Sequence, residues 1–261
     1  MGSKGAITVA SLNLHCGFTQ RGEPYDVTAA LSSLDADVIA VQESWRATGA
    51  DDDPVAASAR SLGARLIRSW LHSGESLASL AIAARPDPGS FGIAIVSKLP
   101  VTGYEVVDLG RAPGDRIRRA AQVVSVLTPG GQPLRLANAH LTHKFTSPVQ
   151  LAWLSRRLRQ IRGAPAPGRA AAPAVIVGDL NMPRLATVTA VGYAPVIRGR
   201  TWPADRPVIQ LDHMLVSQGL AGAGARVLEP VGSDHRPIRA ALELSQHPRS
   251  SAARVHRQVR E

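Results

Sequence analysis

The 261-residue chain is 44% hydrophobic, with a formal net charge of +10 and a pI near 11.0: enough apolar content for one large core, and the charge of a protein that meets polyanions. Its single cysteine, Cys16, excludes an internal disulfide and a cysteine-based zinc site and points to a reducing compartment. No run of about 18 apolar residues occurs, and the start MGSKGAITVASLNLH lacks a basic lead, a long apolar stretch and a cleavage site, so neither a membrane span nor a standard export signal is expected and the expected location is cytoplasmic.

In chain order, AITVASLN (6–13) alternates as a strand and stops at Asn13. Residues 26–34 read as a helix with Asp26 as N-cap and Val27, Ala30, Leu31 and Leu34 on one face. DVIAVQES (37–44) reads as a nearly continuous apolar strand, and further strands are expected at 64–70, 91–98, 101–109, 120–128 and 134–140. A helix over 147–161 carries the stripe Leu151, Leu154, Leu158 and Ile161; a surface loop (163–173) then leads to the strand AVIVGD. Strands at 208–216, 225–230 and 237–244 complete the set. So many strands with few helices predict an α/β protein of two packed sheets flanked by helices, in one domain over residues 1–245. The remainder, 246–261, has no apolar periodicity and is expected to be a disordered basic tail. Part of the basic charge is compositional habit, since 27 of the 30 basic residues are arginine.

Four short words end strands: SLN at Asn13, VQES with Glu43, GDLN with Asp179 and Asn181, and SDHRP with Asp234 and His235. Their polar tips would gather at one rim. Glu43 can ligate Mg²⁺, which wants oxygen ligands and keeps waters for a phosphate to displace; Asn13 beside it can orient that carboxylate or bind a metal water. Asp179 and Asn181, two apart on an extended chain, would face one phosphorus with Leu180 buried behind them, and Gly178 would let substrate approach. His235 can bind or protonate a phosphate oxygen, with Asp212 in QLDHMLV as its carboxylate partner. His140, closing LRLANAH, is a second imidazole, and Arg119 can hold a phosphate bidentately. Singly, each has an ordinary explanation: a turn-forming Asn or Asp, a satisfied His140 or His213, a surface charge at Arg119 beside Arg116 and Arg118. Their occurrence as an ordered set is what singles them out. The tryptophans Trp45, Trp70, Trp153 and Trp202 are expected in buried or rim packing.

On these words the chain resembles the endonuclease/exonuclease/phosphatase superfamily, which includes DNase I-like nucleases, exonuclease III-like endonucleases, sphingomyelinases and inositol-polyphosphate 5-phosphatases. The resemblance covers residues 6 to about 244. It implies a four-layer α/β/β/α sandwich of two mixed sheets and divalent-metal hydrolysis of a phosphate ester, with Mg²⁺, or Mn²⁺ in its place. It implies metal positions at Asn13, Glu43 and Asp234, and a phosphate-binding position at His140. Asp179 and Asn181 would be the water-activating and orienting pair, with Asn181 also on phosphate; Asp212 would be the partner of catalytic His235. Arg119 matches a less regular phosphate-binding arginine. One metal or two remains open.

Departures from the pattern bear on substrate. The late aspartate lies in Ile209-Gln210-Leu211-Asp212-His213, not the word usual in 5-phosphatases, and Gln42-Glu43-Ser44-Trp45 and Asp212-His213 differ from abasic-site endonucleases. FGIAIVSKLP offers no acid to pair with His140. The leading expectation is a monomeric, nuclease-like phosphodiesterase with nucleic acid among its candidate partners. The alternatives are a hydrolase of phospholipid head groups or small phosphate esters and, from another class, a non-catalytic polyanion-binding module.

Overall fold

The computed structural model describes residues 6–51, 53–80, 82–84, 88–115, 117–161 and 172–244. The expected tail (246–261) and most of the expected loop at 163–173 lie outside the described residues.

Two six-stranded mixed sheets pack face to face. The first takes β1 (Ile7–Asn13), β2 (Val38–Ala47), β3 (Arg65–Ser76), β4 (Pro88–Ser97), β11 (Leu220–Val227) and β12 (Ile238–Leu244), in the order β11-β12-β1-β2-β4-β3. The second takes β5 (Val101–Gly110), β6 (Arg119–Leu127), β7 (Pro133–Ala139), β8 (Ala174–Asp179), β9 (Tyr193–Pro195) and β10 (Asp212–Ser217), in the order β5-β6-β7-β8-β10-β9. Each sheet has one parallel pair among antiparallel neighbours: β1–β2 spanned by helix α1 (Val27–Ser33), and β7–β8 spanned by helix α3 (Ser147–Ile161). A crossover helix is what a parallel pair requires.

The period-2 alternation sorts side chains into layers. Ile7, Val9, Val38 and Ala40 face Leu134, Leu136, Val175 and Val177 between the sheets. Their strand neighbours Ala10, Leu12, Ile39 and Val41 pack under α1 and α2 (Pro54–Ser61). Ile176 and Ala137 pack under the predicted α3 stripe of Leu151, Leu154 and Leu158. Strands apolar on both faces read as continuous hydrophobic runs. The Asp26 carboxylate caps α1 by accepting the Ala29 amide at 2.9 Å.

The structure differs from expectation in several places: β9 and the 3-10 helix Arg184–Thr189 were not expected, and Trp153, expected in buried or rim packing, is 46% exposed. Helix α2 was not expected, although Asp53 accepts the Ala56 amide and Pro54 opens the first turn, a start signal readable in sequence. The expected strand 208–216 begins only at Asp212, because the Thr201 hydroxyl takes the Leu211 and Asp212 amides before the ladder starts. The edge strand expected at 225–230 is β11, five residues earlier, pairing through small residues with β12. Gly178 does not face the cleft: at φ 139 it packs beneath β7, where a Cβ would lie 2.1 Å from the Ala139 carbonyl oxygen. Its role is strand-to-strand approach, and Gly178→Ala is expected to cost more than about 3 kcal/mol in urea unfolding, from a glycine-only backbone region plus a backbone clash.

Candidate active site

The carboxyl ends of both parallel pairs open on the same rim, the usual place for ligands in such sheets. β1 ends at Asn13, β8 at Asp179, and β7 is followed directly by His140. The antiparallel neighbours begin there: Asp212 opens β10 opposite Asp179, Arg119 opens β6, and Asp234 and His235 precede β12. All nine residues therefore reach this rim: seven line one cleft of about 650 Å³, and Asn13 and Asp212 bond from behind to Glu43, Asp179 and His235 in its wall.

A β-bulge aims Glu43. Val41 pairs with Ala94 and Ser44 with Gly92, so β2 carries one residue more than β4, and Glu43 sits there at φ 51. Positive φ on a non-glycine residue is strained and turns the side chain out of the strand alternation. From the opposite sheet the Asn138 amide donates to the carbonyls of both Val41 and Ala94 at 2.9 Å, and accepts from Gln42 Nε2 at 2.7 Å. Gln42 also bonds Ser11. Ser11, Gln42 and Asn138 are fully buried.

Above this cluster, Asn13 Nδ2 donates to Glu43 Oε1 at 3.1 Å and to Asp179 Oδ2 at 3.0 Å, while its Oδ1 accepts the His15 amide. Asn13 therefore presents donors, not a ligand oxygen, and orients two carboxylates. Asp179 Oδ1 accepts the Asn181 amide at 2.9 Å. Asn181 stands at φ 50 rather than on an extended strand; its Nδ2 bonds Leu141 O and Asp179 Oδ2. The pair meets through a turn, with Leu180 buried behind it. His235 Nδ1 lies 2.8 Å from Asp212 Oδ2, which fixes a proton there and points Nε2 at Asp179 Oδ2, 3.8 Å away. The Ser233 hydroxyl donates to Asn13 O and accepts the His235 amide, tying this loop to the end of β1. His140 Nε2 is 3.6 Å from Asp179 and 3.7 Å from Glu43. His213 is a satisfied core histidine on Met182 O.

Arg119 is no surface charge. It is 5% exposed, paired through Nε and Nη2 with Asp115, and its buried Nη1 has no protein partner. A buried cationic donor left over beside a cleft is fitted to an anion. Asp234 accepts from Trp202 Nε1 at 3.1 Å and lies 3.9 Å from His15 Nδ1. Trp202 takes the rim position expected of it, whereas His15, Asp115 and His143 in the cleft wall carried no expectation; Asp115, four residues before Arg119, and His15, two after Asn13, were the readable cues.

Burial dominates the ionisation of the site. It raises the Glu43 carboxyl, reinforced by the charge of Asp234. It raises Asp179 to about 7, with Asp212 adding and His235 opposing. Burial also pushes His140 well below the usual imidazole value, helped by Arg119 and His235. For His235, burial works against the cation, but Asp212 and Asp179 outweigh it and lift it to about 10. The rim thus holds several carboxylates against one firmly charged imidazole. Among the described residues Asp179, Asp212 and His235 place ligand atoms within 4.8 Å of one another and could hold a metal ion. Asp212 Oδ2 and His235 Nδ1 already bond each other, while Glu43 and Asp234 line the same cleft with hard carboxylate oxygens, the donor type that Mg²⁺ takes.

The chain matches the model of the Endonuclease/Exonuclease/phosphatase family over residues 10–235 and belongs to that family, whose members are phosphoesterases, some acting on nucleic acids. No curated protein matches it in sequence. Solved structures that share the fold include an endonuclease/exonuclease/phosphatase from Beutenbergia cavernae, 20% identical over 92% of this chain and 72% of that one, with a TM-score of 0.66. The human Nocturnin catalytic domain with bound sulfate anion is 15% identical over 92% and 94%, with a TM-score of 0.67. ANGEL2, a 2′,3′-cyclic phosphatase, in complex with adenosine-2′,3′-vanadate, is 16% identical over 92% and 96%, with a TM-score of 0.65.

Asn138→Ala removes the donor to two carbonyls and the acceptor of Gln42. It is expected to cost about 3 kcal/mol in chemical unfolding, whereas a site-rim substitution such as Asn181→Ala should cost clearly less.

Proposed function

We propose that the protein is a divalent-metal-dependent phosphodiesterase, nuclease-like, carried by one domain over residues 1–245 and working by in-line attack of water on phosphorus. The observation that carries this reading is the position of Asp179: a buried carboxylate raised toward neutrality, held by Asn13 and Asn181, facing both His140 and His235. Such a group takes a proton from water near neutral pH. Asn181 orients the water, and Arg119 Nη1 binds a phosphate oxygen. Protonated His235, braced by Asp212, and neutral His140 face the charge that develops on the phosphoryl oxygens. Mg²⁺ or Mn²⁺ held by Glu43 and Asp234 would supply charge neutralisation on the phosphate and leaving oxygen. The ligands of two fold relatives support a site for tetrahedral and phosphate-like groups: sulfate in Nocturnin and adenosine-2′,3′-vanadate in ANGEL2.

Nucleic acid leads among substrates on the net charge of +10. Phospholipid head groups are the second reading, favoured by the apolar flank that Leu80, Ile82, Phe91 and Ile117 give the cleft. The intact acid and histidine set speaks against a non-catalytic polyanion-binding module. A lone cysteine supports a cytoplasmic location; no helix among the described residues is long and apolar enough to cross a membrane.

Nicking of plasmid DNA with Mg²⁺ is expected to stop with EDTA and to fall by at least about a thousandfold in Asp179→Asn, which should fold normally. An unchanged rate in the variant would remove Asp179 as the base. With bis(4-nitrophenyl) phosphate, activity should rise with pH to a limb at or below about 7, where Asp179 ionises, and fall near 10, where His235 loses its proton. In Asp212→Asn the charge that holds this proton is gone, so the alkaline limb should move to lower pH; a limb that stays in place would separate Asp212 from His235.

A further inference from the structure

Nine large apolar side chains are exposed among the described residues, and six of them lie on one face. Val149 and Trp153, four apart, share the outward stripe of α3, and Phe145 projects from the turn that leads into it. Leu185 and Val188, three apart on the 3-10 helix Arg184–Thr189, stack on one side of it, and Val191 follows. The two halves are joined: Ala186 and Ala190 pack with Leu151, Leu154 and Leu158 of α3, and the Arg159 guanidinium donates to the Val191 carbonyl. Exposure runs from 46% at Trp153 to 104% at Phe145, which the burial of hydrophobic side chains in water does not explain.

The charge on this face is of one sign. Segments 141–161 and 180–193 contain Lys144, Arg156, Arg157, Arg159 and Arg184 and no aspartate or glutamate. Lys144 also lines the catalytic cleft, and Phe145 is the next residue along the chain. Exposed aliphatics beside cations that no acid of these segments offsets suit a surface that is hydrocarbon inside and phosphate outside. A nucleic acid would use the cations but has no use for Val149, Leu185, Val188 and Val191, which neither stack nor hydrogen-bond.

From this pairing we infer that the face of α3 and the 3-10 helix docks on an anionic phospholipid bilayer, inserting Phe145, Trp153 and Leu185 and setting the catalytic rim against the lipid surface. The inference concerns where the protein works and holds whichever phosphodiester it cleaves.

The test is co-sedimentation of the full chain with sucrose-loaded vesicles of phosphatidylcholine, with and without about 30% phosphatidylglycerol, a fraction of anionic lipid sufficient to attract basic segments. Binding is expected only with the anionic lipid. The apolar variant Phe145→Ser/Val149→Ser/Leu185→Ser leaves net charge unchanged and should lower the partition coefficient by about tenfold or more. Arg156→Glu should weaken binding more than Arg226→Glu, an equal charge change on β11. Thermal unfolding of each variant checks that it is folded, and the single substitution Leu185→Ser serves if the triple variant is not. Equal binding of the apolar variant and the native chain would overturn the inference, leaving only general attraction of a basic protein. So would an absence of vesicle binding, a native dimer that the apolar substitutions dissolve, or duplex DNA affinity that falls with them.

Discussion

The site hangs on one contact between the sheets, the Asn138 amide of β7 bonded to two carbonyls of the β2–β4 pair. The bulge interrupts the β2–β4 ladder between two paired stretches, and a one-residue slip in β2 would send Glu43 to the opposite face. Asn138 fixes it by binding Val41 O and Ala94 O together, and Gln42 answers from the bulge itself by donating back to Asn138. The same cluster holds β1 through Ser11, and β1 places Asn13. Three strand ends from two sheets are thereby set relative to one another below the cleft, before any of the reactive groups above them is considered. A buried polar cluster of this kind is costly unless every member is satisfied; here the bonds that satisfy it are also the ones that hold the register.

What stands above is an arrangement of unequal ionisations. Both histidines are buried, yet they are driven in opposite directions: His235 meets Asp212 at 2.8 Å and stays charged, while His140 has Arg119 nearby, carboxylates only at 3.6 and 3.7 Å, and an Nδ1 with no partner. Two imidazoles with separated charge states can serve as a fixed cation and a neutral donor in one site. Asp179 lies within 4 Å of both. Its neighbour Asn181 holds it by folding back at positive φ, and Glu43, also at positive φ, shares with Asp179 the donor of the Asn13 amide.

The rim was legible because SLN and GDLN end apolar strands, a pattern that survives without knowledge of topology; VQES lies instead at a bulge inside β2, and SDHRP precedes β12. Strands β1, β2, β7 and β8, the two main helices and the gathering of the polar words at one rim were readable in the sequence. What escaped depends on contacts distant in sequence. Asn138, read only as part of LRLANAH, becomes decisive because β7 lies across from a bulge 97 and 44 residues away. Gly178 looked like a substrate-facing glycine because it precedes Asp179, but the neighbour that excludes a side chain is the β7 backbone. Arg119 looked exposed amid Arg116 and Arg118, and only its pairing with Asp115 takes it inside. Asp212 was placed too far into a strand, since the Thr201 hydroxyl that delays the ladder is 10 and 11 residues upstream.

The topology also explains why a docking face and the chemistry share one side of the molecule. In a parallel pair the chain must leave the carboxyl end of the first strand and cross over before returning, so the segment after His140 begins at the rim and becomes α3. The segment after Asp179 likewise begins at the rim and becomes the 3-10 helix beside it. Past the buried Leu141, Thr142, Leu180 and Met182 and the site residue Asn181, the two segments turn outward and are free to take a composition set by what lies outside. They carry Phe145 and Leu185 five residues from His140 and four from Asn181, and arginine where a solvated helix would carry both signs of charge. A surface held by this face is necessarily held against the cleft, and binding can position a phosphoryl group without any movement of the sheets.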